Sequence, residues 1–241
     1  MYRYIVNSIF RMSMMRKLIF FLAFIVITAA AGAQQLKQVT FSDGANLSWF
    51  SFLTNQNVLI RVSDDGKVLE WGTEVLADRG NYYHPKLQPF LARTEYYGPE
   101  ADVSLQGKVK SIGTTMLNYY NSFEQDGKAG KLRSIGPVMI DYYNPFENEA
   151  YRGKIKFVGP ILVEYHSSFE NEAFRGKVKS IGSTRIEYYS NFDDKAIRGK
   201  IKSIGGVVYS WYTSFDRYGA GGLKAPLYRQ NIGGLTYVVV R

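Results

Sequence analysis

The residue types that enzymes use for acid, base or nucleophilic chemistry are sparse in this sequence. The chain has two histidines, His84 and His166, and no cysteine. Related segments carry tyrosine at the position of His166, for example Tyr143 and Tyr189, which favours a structural aromatic position over a catalytic base. His84 is a lone histidine in the segment NYYHPK, and no metal-ligand spacing accompanies it. We therefore expect no catalytic residue, no metal and no cofactor.

The carboxylates and glycines form no motif that is specific for catalysis or phosphate binding. The carboxylates recur at a fixed interval, so none is singled out as a general acid or base. Asp64-Asp65-Gly66 predicts a hairpin turn, and no glycine-rich strand-to-helix motif occurs. What remains is a recurring combination of tyrosine and lysine. Amphipathic aromatic rings beside ammonium groups suit a membrane interface or the stacking of sugars.

The tyrosines and lysines belong to a 23-residue repeat that occurs five times. Each copy opens with Gly-Lys, an apolar residue and a second base, and it has another glycine six positions after the first. Two aromatic residues and a phenylalanine follow. The opening glycines are Gly107, Gly130, Gly153, Gly176 and Gly199. A fixed period of this length is typical of stacked or ring-forming supersecondary units.

Each copy predicts a β-hairpin and a link of about nine residues. Alternating segments such as KVKSI and TRIEYY flank a glycine-led turn. Matching the faces favours a three-residue turn with a bulge, which places Lys179 opposite Glu187 and Val178 opposite Tyr188. In the link we expect the phenylalanine, for example Phe192, to anchor the connection on the sheet. The acids of the links would form a negative rim.

This register divides the candidate binding residues into two rows. The outer rim is predicted to contain Lys108, Tyr120, Lys131, Tyr143, Lys177, Tyr189, Lys200 and Tyr212. The interior is predicted to contain Tyr119, Tyr142, Tyr165, Tyr188 and Trp211. A non-catalytic module of this kind would bind a lipid or membrane surface, an apolar ligand or a cell-envelope glycan. The alternative is a structural or assembly scaffold, in which the inner tyrosines are core, the outer ones pack across strands, and residues 73–106 make the contacts.

The predicted fold is all-β, with tandem antiparallel hairpins that close into a shallow barrel; an open twisted repeat sheet is the alternative. The hairpins belong to a single domain, residues 34–241. Within it we expect a degenerate hairpin at 57–72, an insertion at 73–106, five repeats at 107–221 and closing strands at 222–241. Atypical end units are expected, because they cap an array or close a ring.

Residues 1–33 predict a signal-peptide helix that precedes the domain. Arg16 and Lys17 come before the apolar run 18–30, which ends at Ala31-Gly32-Ala33. We expect export to the periplasm or the extracellular space; the alternative is that the segment is not cleaved and serves as an N-terminal anchor. Residues 1–13 are expected to be an extension that precedes the usual start of such a signal peptide, at Met14 or Met15. This segment contains four bases and no acid, so its removal would reduce the net charge of the chain from +9 to +5. This modest positive charge does not favour nucleic acid as a partner. Because the chain has no cysteine and so no disulfide, hydrophobic packing must hold the fold.

The pattern GK(V/I)KSIG…YYxxF(E/D) resembles that of exported hairpin-repeat proteins described as β-flowers, over about residues 57–241. In those proteins petal-like hairpins form a shallow symmetric barrel with an apolar channel, similar in shape to tubby-like and scramblase-like barrels. The resemblance implies such a barrel and a membrane or lipid association, and it supplies no catalytic residues. MORN-type repeats share the 23-residue hairpin period, but their glycine and aromatic pattern differs.

Overall fold

The computed structural model describes residues 35–75, 86–124, 126–217, 219–224 and 228–240. All regular elements in these ranges are β-strands. Both the predicted signal peptide and His84 lie outside the described residues. In the part of the chain that is described, no helix is long and apolar enough to cross a membrane.

The strands form two sheets, which we call the flank sheet and the repeat sheet. The flank sheet contains β1 Gln35–Ser42, β2 Asn46–Leu53, β3 Leu59–Val62, β4 Val68–Glu74, β5 Leu87–Pro89, β17 Arg229–Ile232 and β18 Leu235–Val239, in the order β17-β18-β1-β2-β3-β4-β5. The repeat sheet contains β6 Thr94–Tyr96, β7 Val109–Ile112, β8 Thr115–Tyr119, β9 Leu132–Ile135, β10 Val138–Tyr142, β11 Ile155–Val158, β12 Ile161–Tyr165, β13 Val178–Ile181, β14 Thr184–Tyr188, β15 Ile201–Ile204 and β16 Val207–Val208, in sequence order. Only β1 and β18 pair in parallel; every other described pair is antiparallel.

The hairpins of the repeat sheet have two-residue turns, so the predicted three-residue turn is wrong. Ile181 pairs with Thr184 and Ser180 with Arg185, which leaves two residues in the turn. The first of these, Gly182, has φ of 56°, and a type II′ turn places glycine there. Lys179 therefore does not face Glu187. It lies 3.3 Å from Glu170 instead.

A bulge at the second base of every repeat reconciles the short turn with the two faces. Between β12 and β13 the register jumps from Glu164↔Ser180 to Tyr165↔Val178, so Lys179 is the extra residue. The same jump occurs in each of the other four repeats, at Lys110, Arg133, Lys156 and Lys202. One inserted residue reverses the alternation of the side chains. Val178 and Ile181 can therefore both be buried although they are three residues apart.

The predicted closed barrel is wrong for the described residues: both sheets are open, and the edge strands β6 and β16 do not pair with each other. The apolar face of the repeat sheet is covered in another way. Phe41, Phe50 and Phe52 of the flank sheet share one core with repeat residues such as Leu117 and Ile186. Once a second sheet covers this face, closure is not needed to remove it from water.

Two tips of the flank sheet reach the first strands of the repeats. The first tip, residues 43–45, accepts the amide of Ile201 at the carbonyl of Gly44, at 2.8 Å. The second tip, residues 63–67, accepts the amide of Ile155 at Asp64, at 2.7 Å, and that of Leu132 at Gly66, at 3.4 Å. These bonds fix the position of the flank sheet along the repeats.

Candidate functional site

The interior aromatic residues of the repeats are buried and carry internal hydrogen bonds. The hydroxyl groups of Tyr142 and Tyr188 donate to the carbonyls of Leu132, at 2.6 Å, and Val178, at 2.9 Å. The indole of Trp211 makes the equivalent bond to Ile201. Burial raises the pKa of Tyr119, Tyr142, Tyr165 and Tyr188, so all four stay protonated at neutral pH. The row predicted to line an interior therefore lies in the packed core.

The first lysine of each repeat lies over an interior ring rather than on an outer rim. The ammonium groups of Lys108, Lys131, Lys154, Lys177 and Lys200 are 4.7–5.5 Å from the ring centres of Tyr119, Tyr142, Tyr165, Tyr188 and Trp211. Cation–π attraction holds an ammonium group at this distance. Three of the lysines also donate to the opening glycine of the next repeat: Lys131 to Gly153, Lys154 to Gly176 and Lys177 to Gly199. These groups hold neighbouring repeats together.

The outer tyrosines also connect one repeat to the next. The hydroxyl groups of Tyr120, Tyr143 and Tyr189 donate to carbonyls twenty residues further on, at 2.9–3.2 Å. Burial raises the pKa of Tyr143 to about 12. The second base of the repeat covers the same rings: Arg133 lies over Tyr120, at 5.5 Å. Tyr212 is half-buried, with Lys224 over its ring at 5.2 Å.

His166 takes the outer tyrosine position in the third repeat. Its Nδ1 lies 2.5 Å from a carboxylate oxygen of Glu170, and its ring meets that of Tyr188 edge to face. It is buried and belongs to the same ladder of aromatic rings. Within the described ranges, no three His, Asp or Glu side chains come together in a way that could hold a metal ion.

The phenylalanines of the links are the most exposed large apolar side chains of the repeats, so the prediction that they anchor the links on the sheet is wrong. We call them the phenylalanine ridge: Phe123, Phe146, Phe169, Phe192 and Phe215. Their exposed fractions range from 84% to 95%. An isolated exposed apolar residue is ordinary, but the same exposure at one position of five repeats is a property of the repeat.

The same four-residue turn holds each ridge side chain outward. In every link the amide of the acid after the phenylalanine donates to the carbonyl three residues earlier, at 3.2–3.3 Å. The phenylalanine is thus the third residue of a β-turn. The side chain of Asn121 accepts the amide of Phe123, and Asn144 does the same for Phe146. In the last two links Asp193 and Asp216 accept from Ser190 and Thr213 at the start of the turn. The acids predicted to form a negative rim help to build these turns.

Neighbouring ridge turns are also joined to each other. Asn148 accepts the amide of Ser168, the residue before Phe169, at 3.0 Å. The equivalent bonds join Asp102 to Ser122, Asn171 to Asn191 and Asp194 to Ser214. Hydrogen bonds from Ser104 and Ser122 lower the pKa of Asp102 to about 2. In the second link proline, Pro145, precedes the phenylalanine and has no amide hydrogen to donate. Four of the five turns are thus linked to the preceding loop.

The ridge is long, regular and surrounded by both signs of charge. Adjacent phenylalanines are two strands apart, which corresponds to about 10 Å, so the ridge extends for about 40 Å along one end of the repeat sheet. The five links at 121–130, 144–153, 167–176, 190–199 and 213–222 contain nine acids and six bases, a net charge of −3. The ridge is therefore an apolar row in a weakly acidic surrounding.

A sequence signal for this exposure exists. Asn, Ser or Thr two residues before the phenylalanine and an acid directly after it are typical of a turn closed by side chains. A phenylalanine inside such a turn is directed away from the sheet.

Comparison with protein-family models, with curated proteins and with solved structures finds no match for this chain.

Proposed function

We propose that this chain is an exported, non-catalytic module that docks on a lipid membrane surface through the phenylalanine ridge. The observation that carries the proposal is the exposure of five phenylalanines at one position of successive repeats, each on a hydrogen-bonded turn. Because the turns are fixed before binding, little conformational entropy is lost when the rings enter an apolar phase.

A lipid surface fits the ridge better than a protein groove does. The rings are separated by about 10 Å and stand singly, so they form a line of separate contacts rather than one continuous patch. A membrane interface accepts such a line at any spacing, whereas a protein partner would need a pocket at each interval. Interfacial binding scales with the apolar area that is buried.

The proposal moves the predicted membrane contact from the tyrosine and lysine rows to the links. In those rows the ring hydroxyls and ammonium groups already bind main-chain carbonyls of the next repeat. Pulling them out to reach a headgroup would leave buried carbonyls unpaired, at a cost of about 1–3 kcal/mol each. The ridge side chains have no such bonds to lose.

The energetics of docking are sufficient even for shallow insertion. Full burial of one phenylalanine stabilises by about 1.5–3 kcal/mol. If each ring gains about 1 kcal/mol, the five rings together contribute about 5 kcal/mol, which is more than a thousandfold in partition. The net charge of the links implies that anionic lipid does not strengthen binding.

Vesicle sedimentation tests the proposal. The purified protein and a variant with all five ridge phenylalanines changed to serine share the same N-terminus, so any contribution of residues 1–33 cancels. We expect the variant to lose at least a hundredfold in partition to phosphatidylcholine vesicles. The matched control changes Leu91 and Val103, which are 96% and 76% exposed outside the ridge, to serine and should bind like the parent.

Two results would overturn the proposal. One is equal binding by the parent and the ridge variant. The other is binding that depends on phosphatidylglycerol and is abolished by salt, since that behaviour would indicate attraction of the basic chain to an anionic surface. Loss of self-association in the ridge variant without any lipid binding by the parent would favour the scaffold alternative.

A further inference from the structure

The repeat sheet begins with half a repeat. Counting 23 residues back from β7 and β8 gives residues 86–89 and 92–96, which contain β5 and β6. In each complete repeat the two strands of the hairpin pair with each other, but β5 pairs with β4 of the flank sheet instead. The side of β6 that faces away from β7 is left without a partner strand among the described residues, and an open cleft of about 450 Å³ is lined by residues of both β5 and β6.

The repeat sheet ends with the complementary half. After the fifth repeat Leu223 forms an antiparallel bridge with Trp211, just as the first strand of each repeat pairs with the interior aromatic residue before it. Residues 222–224 therefore take the place of a first strand. Within the described ranges no second strand pairs with them on the other side. We call β6 the leading edge and residues 222–224 the trailing edge of the repeat sheet.

Both edges direct main-chain groups outward. The hydrogen bonds of the bridge between Leu223 and Trp211 are made by the residues on either side of them, at 2.8 Å each. In such an antiparallel pair the amide and the carbonyl of Leu223 itself point away from Trp211. Thr94 of the leading edge is related to Ile112 in the same way, because the residue after Ile112 donates to the residue before Thr94, at 2.9 Å. Each edge thus offers an amide and a carbonyl to another strand.

Tyr96 of the leading edge is a donor without an acceptor. It has the position of the interior aromatic residues, but it is 55% exposed, whereas those of the five repeats are 2–8% exposed. In the second, fourth and fifth repeats the polar group of this ring donates to the carbonyl at the start of the first strand, for example Tyr188 to Val178 at 2.9 Å. Tyr96 makes no such bond to a described residue. The equivalent carbonyl is that of Leu223, at the trailing edge.

Tyr212, beside the trailing edge, is a second unused donor. An outer tyrosine donates to a carbonyl of the next repeat: Tyr97 donates to Leu117 at 3.1 Å, and Tyr189 donates to the equivalent carbonyl of its neighbour at 3.2 Å. Tyr212 has no acceptor among the described residues. Thr94 holds the position of Leu117 in the leading edge, and its carbonyl accepts from no described residue. Each edge therefore has a donor that fits an acceptor of the other edge.

We infer that the trailing edge of one molecule pairs with the leading edge of a second copy of this chain, so that two half repeats form one complete repeat. Tyr96 of one copy then donates to the carbonyl of Leu223 of the other, and Tyr212 donates to that of Thr94. Strand edges with unpaired main-chain groups are ready templates for such an addition. Because the two edges differ, the contact is head to tail and adds copies in a row rather than closing a two-fold dimer.

Sedimentation velocity without lipid tests the inference. The parent should form species larger than a dimer as its concentration rises. Thr94→Pro blocks the leading edge and Leu223→Pro the trailing edge; both amides point outward, so proline leaves the pairing inside the chain intact. We expect each variant alone to associate at least tenfold more weakly than the parent. The matched controls Thr94→Val and Leu223→Val keep the amide and should associate like the parent.

A mixture of the two proline variants gives the sharpest result. Each variant keeps the edge that the other has lost, so an equimolar mixture should form dimers and nothing larger. A two-fold contact would behave differently, since one variant alone would then still dimerise. All proteins share the same N-terminus, so any contribution of residues 1–33 cancels.

Tyr96→Phe and Tyr212→Phe are milder variants that decide the matter if a proline variant does not fold. Neither hydroxyl bonds to a described residue, so both variants should have the circular dichroism spectrum and the urea midpoint of the parent. Each removes one hydrogen bond of the contact and should weaken association about fivefold.

The results that would overturn the inference differ from those of the membrane proposal. A parent that stays monomeric, an equimolar mixture of folded proline variants that stays monomeric, or parent-like association of either Tyr→Phe variant would contradict it. The variant with serine at all five ridge positions should assemble like the parent. Loss of assembly in that variant would place the contact on the ridge and not on the two edges.

Discussion

The ladder of aromatic hydrogen bonds can be tested by removing one oxygen atom at two equivalent positions. Tyr188 and Tyr165 occupy the same place in successive repeats, and both are buried. The hydroxyl of Tyr188 donates to the carbonyl of Val178 at 2.9 Å, whereas that of Tyr165 has no partner. The two Tyr→Phe changes remove the same group and leave the ring, so only the hydrogen bond differs.

The expected difference follows from the two environments. In Tyr188→Phe a buried carbonyl loses its partner, which costs about 1–3 kcal/mol, whereas Tyr165→Phe removes a buried donor that pairs with nothing and should be neutral or slightly stabilising. The measurement is urea unfolding followed by circular dichroism. With a slope of about 2 kcal/mol per molar, we expect the midpoint of Tyr188→Phe to fall by about 0.5–1.5 M. Equal midpoints, or a larger loss in Tyr165→Phe, would refute the assignment of these bonds.

Three further outcomes are expected. Gly66→Ala should destabilise far more than Gly107→Ala in urea unfolding: both residues have positive φ, but an added Cβ lies 2.0 Å from the hydroxyl of Tyr142 at Gly66 and meets nothing within 4 Å at Gly107. The pKa of Lys177 is lowered in the fold, so the unfolded chain binds more protons between about pH 8 and pH 10.5. Stability should thus rise with pH across that window in the parent and less so in Lys177→Met, as urea unfolding at several pH values would show. The variant with serine at all five ridge positions should have a free energy of unfolding within about 0.5 kcal/mol per substituted site of that of the parent, because exposed side chains contribute little to stability. A much larger loss of stability would mean that the ridge packs inward.

The repeat made much of the fold predictable. The 23-residue period gave the five hairpins, and the alternation within each strand gave the buried rows that contain Leu117 and Ile186. The predicted hairpin register was wrong because the observed two-residue turn, together with a bulge at the second base, divides the side chains between the two faces in almost the same way as the predicted three-residue turn. Sequence alternation alone does not separate these two cases.

The covering of the repeat sheet and the exposure of the phenylalanine ridge were harder to predict, for a different reason. The flank sheet includes β1 and β2, which have no counterpart in the repeats, and its strand β1 pairs with β18 from the other end of the chain. A 23-residue period does not indicate such a pairing. The phenylalanines were misplaced because their apolar type led to the expectation that they anchor the links on the sheet. The short polar residue two positions before each of them and the acid directly after it determine their direction instead.

The tyrosine and lysine rows illustrate how one motif can fit two interpretations. Aromatic rings beside ammonium groups are suited to an interface with lipid or sugar, and they are equally suited to pairing with each other between repeats. The sequence places Lys177 and Tyr188 in one repeat but does not show that the ammonium group lies 5.4 Å from the ring centre. The sequence pattern predicted a bulge but did not locate it at Lys179, two residues after Lys177.

The most direct test of the ridge as a membrane contact uses the absence of cysteine from the chain. A single cysteine at Phe169 is labelled with an environment-sensitive fluorophore and compared with one at Met139, which is half-exposed near the turn end of its hairpin. On phosphatidylcholine vesicles we predict a blue shift and increased emission at position 169, the same response at the other four ridge positions, and no change at position 139. A label at 139 that responds as strongly as one at 169, or no response at any ridge position, would contradict docking through the phenylalanine ridge.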